Sequence, residues 1–167
     1  MSDLYTELLV PRRATAGDQI LKAVLIAVTV LSGIVGLFIT PLGFIFLIGF
    51  AVLDYFKLPA LNLEFEYLYV NGELDVDKIM SKQKRKRAGS YEIDKAELIA
   101  LWKSHDMDYY RQGNKGKVVD YTSRTDESKV YAMVYNGDKG MEIILLELND
   151  VMLKDIRRIA PRKVKLG

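Results

Sequence analysis

The sequence contains no cysteine and a single histidine, His105. Without thiols the chain forms no disulfide, offers no thiolate nucleophile and lacks the ligand on which most structural zinc sites depend. One imidazole cannot supply a multi-histidine metal centre from the chain's own residues. The third absence is the most informative: from Ala23 to Leu53, 31 residues in a row, there is no charged side chain. A helix in a soluble core rarely needs an apolar run beyond about 14 residues, whereas a membrane-crossing helix needs about 20. A chain of 167 residues that spends so many on one apolar segment has room for a single further compact unit.

As one straight helix those residues would reach about 46 Å, well beyond the roughly 30 Å of a bilayer's hydrocarbon. Thr40-Pro41, with Gly43 close behind, supplies a break, because proline removes a backbone donor and disfavours helical geometry in the residue before it. The pattern therefore predicts a transmembrane hairpin of two helices, Gln19 to Ile39 and Leu42 to Phe56. The second is short for a full span, and a shallow re-entrant hairpin is the structural alternative. Basic residues gather away from the Pro41 turn: Arg12, Arg13 and Lys22 before the first helix, Lys57 and the run from Lys82 to Arg87 after the second. The positive-inside rule then places both termini in the cytoplasm. The apolar run is too long, and starts too late, for a secretory signal.

Within the first helix Thr29, Gly33, Gly36 and Thr40 are spaced four, three and four apart and share one face. Small faces let helices approach closely, either inside the hairpin, against Gly43 and Gly49, or between copies of the chain. Asp54 is the acid of the hairpin, and an intramembrane carboxylate suggests function. Its place one turn from Lys57 suggests an interfacial residue instead.

After Pro59 the pattern turns to alternation. Leu63 to Val70 and Glu73 to Ile79 flank Asn71-Gly72, a strong hairpin signal. Further strands read at Arg87 to Ile93, Glu97 to Lys103, Lys117 to Thr122, Lys129 to Tyr135 and Met141 to Leu148, with a second turn at Asn136-Gly137. Asn149 or Asp150 then caps an amphipathic helix carrying Val151, Met152, Ile156 and Ile159, which Pro161 stops. The expected division is an N-terminal segment (1–18), the hairpin (19–58) and a β-rich domain (59–167). The fold class is α+β, with about seven antiparallel strands closed by a C-terminal helix.

That order of elements resembles the bacterial pleckstrin-homology-like (PH-like) domains that follow short transmembrane hairpins. The likeness covers roughly Leu61 to Val164 and rests on "EYLYVNGELDVDKI", the "RKR" strand after it and "DVMLKDIRRIAPRKV". With the N-terminal "YTELLVPRR", these stretches also look like a family of short bacterial membrane proteins to which no activity is assigned. The resemblance implies a fold and a membrane address, and brings no catalytic residue with it.

Lys78, Lys82, Lys84, Arg85, Lys86 and Arg87 place six cations in ten residues with no acid between them. Such a run near a cytoplasmic leaflet gains about 1 kcal/mol per basic residue from anionic headgroups. It also reads as a solvated strand edge that discourages aggregation, or as a topology signal. A nucleic-acid reading fits poorly behind a membrane hairpin. Ser104-His105-Asp106 reads as loop, since triads are assembled from separated positions. Asp106, Asp108 and Asp120 lack the spacing of a calcium loop, and Gly113 to Lys117 lacks that of a phosphate loop.

The sequence thus predicts no enzyme, cofactor or metal. It predicts a membrane-anchored binding or scaffold protein whose partners are the membrane, anionic lipids, a protein or its own copies. The rival expectation is a small oligomeric transport- or channel-related subunit, joined through Thr29, Gly33, Gly36 and Thr40 with Asp54 near the pathway.

Overall fold

A computed structural model of the chain describes residues 5–113, 116–137 and 140–165. It divides into two compact units: one holds Arg13–Leu63 and Met80–Lys84, the other the first twelve residues with Glu64–Ile79 and Arg85–Gly167.

The first unit is built on two apolar helices, α1 (Ala16–Phe38) and α2 (Gly43–Leu61). α1 starts three residues earlier than its hydrophobicity suggests because Thr15 and Asp18 form a capping box: Thr15 Oγ1 accepts from the Asp18 amide (3.2 Å) and Asp18 Oδ2 from the Thr15 amide (2.9 Å). α2 is longer than expected. It runs through Pro59 to Leu61, since a proline in the last turn forfeits one helical hydrogen bond where the ladder is already ending. Its 19 residues span about 28 Å, so the second helix is not short for a crossing. Both helices are long and apolar enough to cross a membrane, which suggests membrane association.

The second unit has two four-stranded sheets and a terminal helix. Strands β1 (Tyr5–Pro11), β2 (Leu63–Val70), β3 (Glu73–Met80) and β4 (Lys84–Glu92) lie in that order in the first sheet. The expected Asn71-Gly72 turn joins β2 to β3 with positive φ at both residues, 47° and 97°, as a two-residue primed turn requires. β1 had no element assigned from sequence; it pairs antiparallel with β2 from Tyr5↔Val70 to Pro11↔Glu64.

The second sheet has β5 (Ala96–Leu101), β6 (Lys117–Asp120), β7 (Tyr131–Gly137) and β8 (Gly140–Leu146) in the order β5-β7-β8-β6. It departs from a plain meander, because the chain passes through the short helix α3 (Asp108–Gln112) and lays β6 parallel to β8 at the sheet's edge. β7 and β8 pair as far as Gly137↔Gly140. Asn136-Gly137 therefore ends a strand, and the turn lies outside the described residues.

The interior is formed by alternate side chains. Phe65, Tyr67 and Tyr69 of β2 and Leu74 and Val76 of β3 are wholly buried, as are Ile144 of β8 and Met152 and Ile156 of the last helix, α4 (Asp150–Ile159). Asn149 caps α4 through its side chain on the Met152 amide (2.8 Å). Its buried stripe is Met152, Leu153 and Ile156; Val151 and Ile159, expected on that stripe, are exposed. After α4 the chain turns back along β5, where Ile99 donates to Lys163 O and accepts from the Lys165 amide, both at 2.8 Å. Tyr67 ties the two sheets together, donating to Tyr121 O (2.7 Å) and accepting from the Glu147 amide (3.4 Å).

Candidate functional site

The basic run falls on the β3–β4 turn and the first half of β4, and the pleat separates its members. Arg85 and Arg87 point to the solvent face of the first sheet, where the neighbouring strands present acids. Arg85 Nη2 lies 2.6 Å from Glu66 and its Nε 3.9 Å from Asp77, and Arg87 pairs with Asp75. Glu66 is buried, and burial pushes its carboxyl above the usual range while the Arg85 guanidinium pulls it back. Ser90 also reaches this row, donating to Glu73 Oε1 at 2.7 Å. Arg87 and Ser90 stand an odd number of residues apart on one face, so the alternation slips between them, as in a bulge on an edge strand.

Lys82, Lys84 and Lys86 are exposed, and none has an ion pair among the described residues. The turn that carries Lys82 and leads into Lys84 is held to the end of α2. The Ser81 amide donates to Asn62 O (2.8 Å) and the Ser81 hydroxyl to Pro59 O (3.4 Å). Lys84 Nζ sits 4.8 Å from the Tyr55 ring centroid and 5.7 Å from that of Phe56. Each such cation–π contact is worth about 0.5–1 kcal/mol at an exposed site. Ser81 and Lys82 hold left-handed backbone, φ 47° and 58°, which non-glycine residues adopt only at a cost of about 1–2 kcal/mol. Lys78 is elsewhere, lining a cleft of about 670 Å³ with Tyr91, Tyr121 and Lys117.

The small face of α1 meets α2. The Thr29 hydroxyl is within hydrogen-bond distance of Asp54 Oδ2 (2.7 Å) and of Leu25 O (3.0 Å). A Cβ on Gly33 would touch the Leu47 side chain, and one on Gly36 would lie 3.0 Å from the Phe44 nitrogen. Thr40 belongs to the connection, its carbonyl accepting from the Gly43 amide at 3.0 Å. Of the two glycines expected opposite, Gly43 is packed against Gly36, while Gly49 has nothing within 4 Å.

The remaining polar motifs are spent locally. His105 Nδ1 contacts Asp108 Oδ2 (2.7 Å), and Asp108 also pairs with Arg111. Asp120 accepts from the Thr122 amide and hydroxyl and pairs with Arg124 (3.0 Å) and Arg12 (3.9 Å). Arg12 also lies over the Phe65 ring, so this flanking cation is built into the β unit. Asn114 and Lys115 of the glycine-flanked turn lie outside the described residues.

Two sheets, a capping C-terminal helix and two preceding apolar helices match one family along almost the whole chain: residues 2–166 fit the family described as Bacterial PH-like domain (DUF6106). The chain belongs to that family. Its match begins at residue 2, ahead of the apolar helices, so the hairpin and β1 are part of the DUF6106 pattern and not an addition to it. No curated protein and no solved structure matches the chain.

The acids that receive the arginines were missed from sequence. A signal was present: Glu64, Glu66, Glu73, Asp75 and Asp77 occupy one parity on β2 and β3, opposite the apolar parity, and so line the face that β4 presents to them.

Proposed function

We propose that this DUF6106 protein is a membrane-anchored, non-enzymatic binding module: the hairpin crosses the bilayer with both ends cytoplasmic, and the β3–β4 turn engages anionic headgroups. The observation that carries this reading is Lys84 held over Tyr55 and Phe56, in the last two turns of α2. Aromatic rings in the last turns of an apolar helix favour the interface, and a lysine seated on them brings its neighbours toward the headgroups. Lys82, Lys84 and Lys86 then meet lipid phosphate, while Arg85 and Arg87 are structural, spent on Glu66, Asp77 and Asp75. The PH-like domain is left to present its remaining surface to a protein partner, as such domains bind rather than catalyse.

The test is amide hydrogen exchange of the full chain in nanodiscs. Exchange over residues 80–87 slows when zwitterionic lipid is replaced by a mixture rich in phosphatidylglycerol, and the difference disappears at high salt or in the triple variant Lys82→Glu, Lys84→Glu, Lys86→Glu. Identical exchange in the two lipids rejects the headgroup reading.

A further inference from the structure

We propose that the β-rich unit carries a second site, a pocket for a small amphipathic anion, between the end of β5 and the segment leading into β7. A cavity of about 580 Å³ opens there. Small-molecule pockets occupy about 300–1,000 Å³ and combine apolar walls with a few convergent polar groups. This cavity has that make-up.

Leu101, Trp102 and Val130 supply its apolar lining side by side, the Trp102 amide donating to Val130 O at 2.8 Å. Trp102 is half-buried, packed on the core of Ala100, Met107 and Tyr110, and its carbonyl accepts from Arg111 Nη1 (3.0 Å). A large flat ring fixed in this way offers a stacking platform without first having to be ordered. The opposite segment is also set in place. The Ser128 hydroxyl donates to Thr125 O (2.9 Å), the Ser123 and Thr125 hydroxyls are 2.8 Å apart, and Arg124 holds left-handed backbone at φ 61°.

The lining carries three cations, Lys103, Arg124 and Lys129, against one acid, Asp126. Arg124 is engaged by Asp120, but Lys103 and Lys129 are exposed and have no ion pair among the described residues. Apolar walls around an indole, with two uncommitted ammonium groups at the rim, suit a flat apolar body bearing one carboxylate or phosphate. The site shares no residue with the Lys82–Lys86 run, so its fate is independent of the headgroup reading.

Trp102 is the single tryptophan, so its fluorescence in the full chain, held in a tryptophan-free maltoside micelle, reports this cavity alone. The probes are 4-nitrobenzoate, 4-nitrophenyl phosphate and neutral 4-nitrobenzyl alcohol. The proposal predicts saturable quenching by the two anions, with the neutral probe at least about tenfold weaker. The double variant Lys103→Glu, Lys129→Glu should weaken the anions about tenfold while the neutral probe is unchanged. Whichever anion saturates at lower concentration tells whether the site takes a carboxylate or a phosphate. Quenching linear in concentration and equal for all three probes, or saturable quenching indifferent to the lysine variant, would overturn it.

Discussion

Gly36 and Gly43 meet backbone to backbone where the two apolar helices diverge from their turn: a Cβ built on Gly43 would fall within the main chain of Gly36. Gly43→Ala should therefore force the helices apart, an overpacking cost of about 1–3 kcal/mol. Gly49→Ala, which meets nothing within 4 Å, should be neutral or slightly stabilising through its better helix propensity. Thermal unfolding of the full chain in one detergent compares the two. Equal effects would show that the close approach carries no energetic weight.

A polar clamp lies further along the same seam. Thr29→Val removes the hydroxyl 2.7 Å from Asp54 Oδ2 at nearly constant volume. Hydrogen bonds between membrane helices average about 0.6 kcal/mol and reach about 1.7. The expected loss falls in that range, and a cycle with Asp54→Ala should show the two losses to be non-additive.

How much of this was legible in the sequence depends on whether the determining neighbour was local. The Asn71-Gly72 turn and the break at Pro41 were readable because a short segment's own backbone preferences decide them. β1 was not, since Tyr5–Pro11 becomes a strand only by pairing with β2, more than fifty residues on. The string from Lys82 to Arg87 read as one patch, but alternation along β4 sends its arginines to acids on β2 and β3 and leaves its lysines exposed. Their partners are invisible to a one-dimensional charge count. The end read for the second helix, Phe56, falls short because α2 runs on through Pro59 to Leu61, and a proline in a helix's last turn sacrifices little.

Tyr67 links the sheets through one hydroxyl, which serves both Tyr121 O and the Glu147 amide. Tyr67→Phe keeps the ring but leaves a buried carbonyl and a part-buried amide without their partner, at a cost of about 1–3 kcal/mol. Burial pushes the Tyr67 hydroxyl far above the ordinary tyrosine value, so it keeps its proton at any pH where the fold is studied, and the loss should be independent of pH between neutral and mildly alkaline. Urea unfolding followed by circular dichroism at two such pH values measures it.

Asp120, by contrast, makes stability depend on acid. Burial raises its carboxyl, but the Thr122 hydroxyl and amide and the Arg124 guanidinium outweigh that and bring it below the ordinary 3.8. A carboxyl depressed in the folded state adds stability above its unfolded value, and that stability is lost as pH falls through the folded one. Asp120→Asn should thus lower the unfolding temperature at neutral pH, with a deficit that shrinks once pH drops below about 3.8. A deficit constant with pH would mean that the charge contributes nothing.

We propose that the hairpin crosses the membrane with the basic turn at its cytoplasmic end. The chain has no cysteine of its own, so single-cysteine variants test this directly. In intact cells a membrane-impermeant maleimide should label Leu42→Cys in the helix connection and leave Lys86→Cys unlabelled until the cells are permeabilised. Labelling of both positions from outside, or of neither, would contradict it.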